Sequence, residues 1–297
     1  MTHPYNTLTY GQTLAGTGQV VMSKTLGVPL HLRTIPGCVE LDAAGLYPLS
    51  PKLRTVTRDA VRAELRALGA ISLVLVSDPA STPVPPDCFD LVRPYKDHHV
   101  IEGRRAQPPY SKHHRAELRR AERRCEAREI VLADHLQDFT RLYEVLIARH
   151  ALGETHRFEA AHFVHLAAHP EDFPAFGAFA EGRLVSAHIW ARHGRFAHSH
   201  LAASDAEGYE AGAAYAVNDV AIRTFAGSTL INLGGVADGS AGDGLARFKA
   251  GFANATRRAY LCGLVADQEA YNRLSAPLAA LGPSEYFPRY RQPRSTH

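Results

Sequence analysis

The residues best suited to chemistry lie in one stretch, where a cation and an aromatic ring follow a glycine-rich loop. An apolar run over residues 229–233 predicts a buried strand that ends at Gly234-Gly235. A loop with further glycines follows and leads into a short helix that carries Phe248 and Lys249. Backbone amides and a fixed cation there suit an anionic or carbonyl-bearing ligand. The spacing alone fits a surface helix with a solvated lysine equally well, because the stretch lacks both GxxxxGK[ST] and a GxGxxG that opens a helix.

The helix after the loop has one apolar face. Leu245, Phe248 and Phe252 recur at i, i+3 and i+7, and Arg247 and Lys249 flank Phe248. Asp243 stands just before this helix, where its carboxylate can accept hydrogen bonds from unpaired helix amides.

The segment from Gly244 to Phe252, GLARFKAGF, resembles the C-terminal signature of the Fem family of aminoacyl-tRNA-dependent peptidyltransferases and of related proteins of the GNAT superfamily. Those families have G-L-x-x-F-K-x-G-F after a strand that ends in a glycine pair, and this chain matches it position by position. The resemblance extends over about residues 176–225, reaches the basic helix near Lys112 more loosely, and is weak over the first hundred residues. It implies an α/β fold of the GNAT type, with two GNAT-like lobes, the N-terminal one reduced, joined by a basic helix.

The resemblance also implies a reaction, which is transfer of an aminoacyl group from aminoacyl-tRNA to an amine, forming an amide bond. It gives Lys249 the catalytic role of neutralising the charge of the tRNA terminus and of the developing intermediate, and gives Phe248 a packing or stacking role. We add Arg247 as a second phosphate contact and place Asp243 beside the substrate. Aminoacyl-tRNA is then a co-substrate, and no cofactor is expected. The chain is shorter than the cell-wall Fem enzymes and lacks their long charged arm, which favours a small peptide or metabolite acceptor, as in natural-product biosynthesis.

A second candidate site is a basic helix predicted over Ser111–Cys125. The range 112–124 holds six Lys or Arg and two Glu, in a chain whose net charge is only +3. Charge runs are equally common on plain surfaces. The resemblance makes this helix a candidate surface for the acceptor arm of a tRNA, through contacts with phosphates. We call the four residues proposed for this contact the basic patch: Lys112, Arg115, Arg119 and Arg123.

The turn before the helix predicted over residues 209–225 discriminates between acyl donors. In GNAT enzymes that use acyl-CoA, this turn carries [RQ]-x-x-G-x-[GA], and its amides bind the pyrophosphate at a helix N-terminus. Here the turn carries Asp205, Glu207 and Glu210, which would repel a pyrophosphate. An acyl-CoA-dependent N-acyltransferase is therefore the alternative function. A non-catalytic member of the superfamily that only binds a peptide or RNA is a further alternative.

Four histidines on a predicted hairpin invite a metal site: His188, His193, His198 and His200. His198 and His200 have the period-2 spacing of a ligand pair, yet no Cys or carboxylate accompanies them at ligand spacing. We therefore expect no metal. One of the four is a candidate general base for the attacking amine, and we assign His200 to the substrate site.

The elements that must position these residues divide at a linker predicted over residues 104–109. Residues 1–108 predict a small N-terminal lobe, with a helix over Thr57–Leu68 and a buried strand over Ile71–Val76. Residues 109–297 predict a complete C-terminal lobe, which includes the connecting helix 111–125 and a late strand and helix over 258–281. Asp42 and Tyr47 lie in a predicted loop of the N-terminal lobe, which we consider as one wall of the acceptor site.

Composition and length narrow the class of protein. With 45% hydrophobic residues in 297, the chain can bury one large core or two modest ones. No apolar run approaches the roughly 18 residues of a membrane span, and the start lacks a signal-peptide pattern, so we expect a cytoplasmic protein without a membrane partner. The four cysteines are scattered and contain no CxxC. The amino acid, the tRNA, the acceptor and the oligomeric state remain open.

Overall fold

The computed structural model describes residues 2–16, 18–82, 85–103, 108–150, 153, 156–236, 243–282 and 284–293. Most of the predicted linker, at residues 104–107, and the glycine-rich loop at residues 237–242 lie outside this range.

The described chain alternates strands and helices. The strands are β1 (Gln19–Met22), β2 (Pro29–Thr34), β3 (Leu41–Gly45), β4 (Ala70–Val76), β5 (Leu91–Glu102), β6 (Glu126–Ile130), β7 (Ala175–Ala180), β8 (Arg183–His193), β9 (Phe196–Ser204), β10 (Leu230–Gly235) and β11 (Ala255–Val265). The α-helices are α1 (Leu8–Gln12), α2 (Arg58–Ala67), α3 (Lys112–Ala121), α4 (Leu136–His150), α5 (Ala160–Ala168), α6 (Ala206–Ala211), α7 (Ala213–Thr224), α8 (Asp243–Ala250) and α9 (Gln268–Ser275). None of these helices is long and apolar enough to cross a membrane.

The chain forms two compact units that are not divided by a single boundary. The first unit comprises Met1–Pro4 and Lys96–Arg257, and the second comprises Tyr5–Tyr95 and Arg258–His297. The sequence instead predicts a single boundary at residue 108, which assigns the last forty residues to the C-terminal lobe. They belong to the second unit because β11 pairs antiparallel with β4, with Leu261 opposite Val76. Strands so far apart in the chain leave no local signal of their pairing.

The first unit is built on strands in the order β5-β10-β9-β8-β7-β6. β9 and β10 run parallel, whereas the other neighbours are antiparallel. α3 and α7 share one hydrophobic cluster with the sheet, in which Leu118, Phe176, Trp190 and Phe225 are buried. Parallel neighbours require a crossover connection, and α6 and α7 supply it between β9 and β10.

The second unit repeats this arrangement on a smaller scale. Its strands follow the order β1-β2-β3-β4-β11, and β3 and β4 run parallel with α2 as their crossover. The Thr57 side chain caps α2 by accepting a hydrogen bond from the Ala60 amide, and Val61 and Leu65 of α2 are buried against the sheet. The helix and the strand predicted for residues 57–76 are therefore confirmed.

Two elements differ from the sequence predictions. The basic helix ends at Ala121 rather than Cys125, because the chain must turn before β6 begins at Glu126 and pairs with β7. The helix expected over residues 209–225 is two helices, which break at Gly212 with a φ of 71°.

Candidate functional site

Asn232 shapes the glycine pair at the end of β10. It is buried in an otherwise apolar strand, and its Oδ1 accepts hydrogen bonds from the Gly234 amide at 2.9 Å and from Nδ1 of His98 at 3.1 Å. Its Nδ2 lies 3.5 Å from Nδ1 of His198 on β9. Gly234 has a φ of 88°, in the left-handed region that favours glycine. The amide of Asn232 therefore holds the backbone where the strand leaves the sheet.

Lys249 on α8 meets this turn. Its Nζ donates a hydrogen bond to the Gly235 carbonyl at 3.0 Å, and a Cβ atom added to Gly234 would lie 2.9 Å from the same Nζ. Glycine at 234 thus provides both the backbone conformation and the space for the ammonium group. None of the described carboxylates forms an ion pair with Lys249.

The ammonium group of Lys249 lies in an environment that disfavours its positive charge. Burial, and then the positive charge of Lys96, lower the pKa of Lys249 from 10.5 to about 8. The same ammonium group contributes to lowering the pKa of His99 on β5 and of His188 on β8. Lys249 therefore lies among three strands of the first unit, half-buried and without an anionic partner among the described residues.

Phe248 packs against neighbouring rings in the first unit. Its ring lies 5.0 Å from Tyr215 and 5.2 Å from Phe252, measured between centroids. Its carbonyl lies 2.7 Å from Nε2 of His114, whose Nδ1 lies 3.0 Å from the Ser111 hydroxyl. A carbonyl can only accept, so Nε2 of His114 carries the proton. Of the two roles predicted for Phe248, these contacts support packing.

Gly251 of the signature segment makes this packing possible. A Cβ atom added at residue 251 would lie 1.9 Å from the His114 ring. The buried His114 on α3 thus fits against the chain directly after α8, where only glycine leaves room. The F-K-x-G-F pattern therefore positions α8 as well as Lys249.

The parallel pairing of β9 and β10 is short and ends within the first unit. Their parallel register runs from Leu230 opposite Phe196 to Asn232 opposite His198. The next residue on β9 is Ser199, which is half-buried and lies 2.9 Å from Nε2 of the buried His188, measured from its Oγ. A register shift between β8 and β9 follows at once, with Ile189 opposite Leu201 and Trp190 opposite Ser199, so one β9 residue bulges from the ladder.

The histidines of the hairpin do not form one cluster, although His193 and His198 both pack against the His3 ring. His188 bonds to Ser199, His198 lies near Asn232, and His200 lies 5.7 Å from His162 between ring centroids. Burial, followed by the charge of Lys249, lowers the pKa of His188 to about 3, and burial lowers that of His200 far below its usual value. Both rings are weakly basic, which disfavours either of them as the general base considered for one of the four histidines.

The acidic turn before α6 is an ion-paired cap. Asp205 accepts a hydrogen bond from the Gly208 amide at 3.0 Å and from Arg141 and Arg183 at 3.0 and 2.8 Å, and Arg183 also bonds to Glu207. Burial alone would raise the pKa of Asp205, but the Gly208 amide and the two arginines lower it overall. The two arginines offset the repulsion between the acidic turn and a pyrophosphate that the sequence predicts. The Asp205 carboxylate, however, already accepts a hydrogen bond at the N-terminus of α6.

The remaining predicted residues divide between the two units. Asp42 is on strand β3 rather than a loop, is fully buried, and bonds to Arg33, Tyr290 and Arg291 within the second unit. Tyr47 also belongs to the second unit, where its carbonyl accepts a hydrogen bond from Tyr10 at 2.8 Å. Neither is exposed as a loop side chain, so the geometry does not support an acceptor wall formed by that loop.

The other residues expected around Lys249 lie on or near α8 and α3. Asp243 is the first residue of α8. Arg247 is exposed on the same helix. All four residues of the basic patch are exposed, and Arg123 lies in the turn beyond the end of α3.

Sequence reasoning missed polar residues at the end of the β9–β10 pairing. Asn232 had a signal, because a single amide in an apolar strand needs a buried partner. His98 and Ser199 had none, and the hydrogen bond of His188 with Ser199 was not foreseen, since the partners are on other strands and the pairing is visible only in the fold.

Comparison with known proteins supports the fold. Residues 112–238 match the family model described as an acetyltransferase (GNAT) domain. No curated protein sequence matches this chain at a significant level.

Three solved structures are similar over most of their length. The C-terminal domain (DUF2156) of a putative lysylphosphatidylglycerol synthetase from Agrobacterium fabrum has a TM-score of 0.61 at 12% identity, covering 93% of this chain and 92% of that chain. FemX has a TM-score of 0.61 at 11% identity, covering 92% and 95%. L-PGS from Bacillus licheniformis has a TM-score of 0.60 at 14% identity, covering 90% and 89%. The predicted α/β fold of the GNAT type is thereby confirmed.

Proposed function

We propose that this protein is an acyltransferase that moves an aminoacyl group from aminoacyl-tRNA to an amine of a small peptide or metabolite in the cytoplasm. The observation that carries the proposal is the Lys249 ammonium group at the Gly234-Gly235 turn, which follows the end of the β9–β10 pairing, without a carboxylate partner among the described residues. A cation held half-buried at a strand end suits a ligand that brings, or develops, negative charge.

The reaction needs little covalent chemistry from the protein. The amine nitrogen attacks the ester carbonyl, a C–N bond forms, and the carbonyl electron pair moves to oxygen. Collapse of this oxyanion breaks the bond to the ribose oxygen, and the proton lost by the amine balances the proton gained by the ribose. An aminoacyl ester is already activated, so holding both substrates in line and stabilising the oxyanion supply the main rate enhancement. Lys249 supplies the charge.

Structural similarity supports the reaction class. The fold is shared with FemX and with a domain of a protein named lysylphosphatidylglycerol synthetase, a name that denotes joining a lysyl group to an acceptor. We propose the basic patch as the surface that contacts tRNA phosphates, since its four side chains are exposed.

The test is a transfer assay with charged total tRNA, radiolabelled amino acids and a panel of amines. We expect transfer by the wild type, loss of transfer in Lys249→Ala, and partial retention in Lys249→Arg, which keeps the charge. Lys24→Ala, which removes an exposed lysine of the second unit, is the matched control. Full transfer by the Lys249→Ala variant would exclude the proposed role of this residue.

The second candidate is an acyl-CoA-dependent N-acyltransferase, which the match to an acetyltransferase (GNAT) domain favours. Against this function, the Asp205 carboxylate accepts the hydrogen bond of the Gly208 amide at the start of α6, where the pyrophosphate of coenzyme A would bind. We expect calorimetry to detect no binding of coenzyme A, and micromolar binding would favour this second function.

A further inference from the structure

Ser199 lies where the pairing of β9 with β10 ends. It follows His198, the last β9 residue paired with β10, and it is half-buried, so part of the residue is accessible to solvent. The Gly234-Gly235 turn that holds Lys249 begins on β10 just beyond the same pair. Ser199 on β9 and the Gly234-Gly235 turn on β10 therefore lie at the same end of the β9–β10 pairing.

His188 connects Ser199 with Lys249. Its Nε2 lies 2.9 Å from the Ser199 hydroxyl, and its ring centroid lies 4.6 Å from that of Trp190 with the rings tilted by 36°. The positive charge of Lys249 contributes to lowering the pKa of His188. His188 is only 4% exposed, and its Nδ1 has no hydrogen-bond partner within the part of the chain that the structure describes.

The unpartnered nitrogen determines which way the hydrogen bond runs. If Ser199 donated to Nε2, the proton of neutral His188 would lie on Nδ1, where it would be a buried donor without an acceptor. Orphaned buried N–H groups are rarer in proteins than under-satisfied acceptors. The favoured arrangement therefore places the proton on Nε2, which donates to the Ser199 oxygen and leaves the Ser199 hydroxyl proton directed elsewhere.

We propose that Ser199 is a catalytic residue that donates a hydrogen bond to the acyl carbonyl oxygen as its negative charge develops, and that His188 is the positioning residue that orients it. This inference rests on the proposed acyl transfer. Ser199 and Lys249 together then provide two donors for one oxyanion, with no proton transferred by either.

The kinetic test compares matched pairs of variants in the transfer assay. Ser199→Ala is expected to lower kcat by about 100–1,000-fold, as removal of other oxyanion donors does, and to change KM for either substrate by less than about 3-fold. Ser186→Ala is the control, because Ser186 carries a buried hydroxyl on the same hairpin that bonds to Ser204 rather than to His188. Equal kcat in the Ser199→Ala variant and the wild type overturns the inference.

The positioning role of His188 is tested by replacing it with two amide side chains of different length. His188→Gln can place an N–H near the position of Nε2 and is expected to retain most of the kcat, whereas His188→Asn falls short and is expected to lose as much as Ser199→Ala. The Ser199→Ala/His188→Asn double variant should lose no more than either single variant, because both remove one oriented donor. Additive losses overturn the positioning role, and thermal unfolding identifies any variant that fails to fold.

A measurement independent of activity separates this inference from the proposed function. Nitrogen-15 NMR of histidine-labelled protein, with the His188 signals assigned by their absence in His188→Gln, reports the tautomer. A proton on Nε2 supports the orientation of Ser199, and a proton on Nδ1 overturns it. Absence of transfer by the wild type would instead refute the proposed function, and the tautomer would still decide how Ser199 is oriented.

Discussion

Replacing Lys249 with methionine should make the protein more stable and less active. The folded protein holds the ammonium half-buried without a carboxylate partner among the described residues, so folding carries an electrostatic penalty. One pKa unit corresponds to about 1.4 kcal/mol, and the fall from 10.5 to about 8 amounts to about 3 kcal/mol against the charged form. Water that reaches the half-buried group reduces this figure, so it is an upper bound.

The sign of this effect depends on pH in a way that identifies its cause. Below pH 8 Lys249 is protonated in both the folded and the unfolded chain, and the full penalty opposes folding. Between pH 8 and 10.5 the folded protein binds fewer protons than the unfolded chain, so the penalty shrinks, to about 1 kcal/mol at pH 10. Lys249→Met should therefore gain up to about 3 kcal/mol over the wild type at pH 7 and much less at pH 10.

Urea unfolding at pH 7 and pH 10 measures the stability difference between Lys249→Met and the wild type. Transfer kinetics test whether catalysis needs a positive charge at residue 249. In the wild type the ammonium loses its proton above pH 8, whereas an arginine stays charged. Since the acceptor amine also titrates, the informative quantity is the ratio of kcat/KM for the wild type to that for Lys249→Arg, which should fall above pH 8. A Lys249→Met variant no more stable than the wild type at pH 7, or a ratio independent of pH, would refute the reasoning.

Three further predictions concern packing, the buried ion pairs and the basic patch. Gly251→Ala should lower the free energy of unfolding by about 1–3 kcal/mol in urea titrations because its Cβ would meet the His114 ring, whereas Gly244→Ala, whose Cβ meets no atom of the described residues within 4 Å, should be neutral. Asp42→Ala should destabilise the second unit by about 3–5 kcal/mol in the same assay, because it leaves Arg33 and Arg291 without their buried partner, and equal stability would contradict this role. Replacing the three arginines of the basic patch by alanine should flatten the dependence of tRNA affinity on salt in filter binding, and an unchanged slope would exclude phosphate contacts there.

Local signals in the sequence predicted the elements near the site well. The capped helix α2, the strand β4, the β8–β9 hairpin that carries the four histidines and the signature helix all depend on residues close in the chain, and each is present. The face predicted for the signature helix is only partly correct. Phe248 and Phe252 pack inward, whereas Leu245 is 48% exposed near the start of α8. A helical spacing shows which residues share a face but does not show how far along the helix its neighbours extend.

Contacts between distant strands were beyond the reach of the sequence. The pairing of β11 with β4 depends on two apolar runs that would fit other partners equally well. The hydrogen bonds of Asn232 with His98 and of His188 with Ser199 require the strand order to be known first. Lys249 was identifiable because its motif is continuous, while the groups that tune its charge are brought together only by the fold.

The pairing of charges within the molecule separates structural ions from the candidate functional one. Asp42 and Asp205, both buried, are each held by two arginines, which is how a folded chain normally compensates a buried charge. Lys249 is the opposite case, because the described residues offer it a carbonyl and the positive charge of Lys96 but no carboxylate. A charge kept uncompensated at a strand end lowers stability unless an anion arrives to neutralise it. The same geometry that weakens the folded protein therefore strengthens its interaction with an oxyanion.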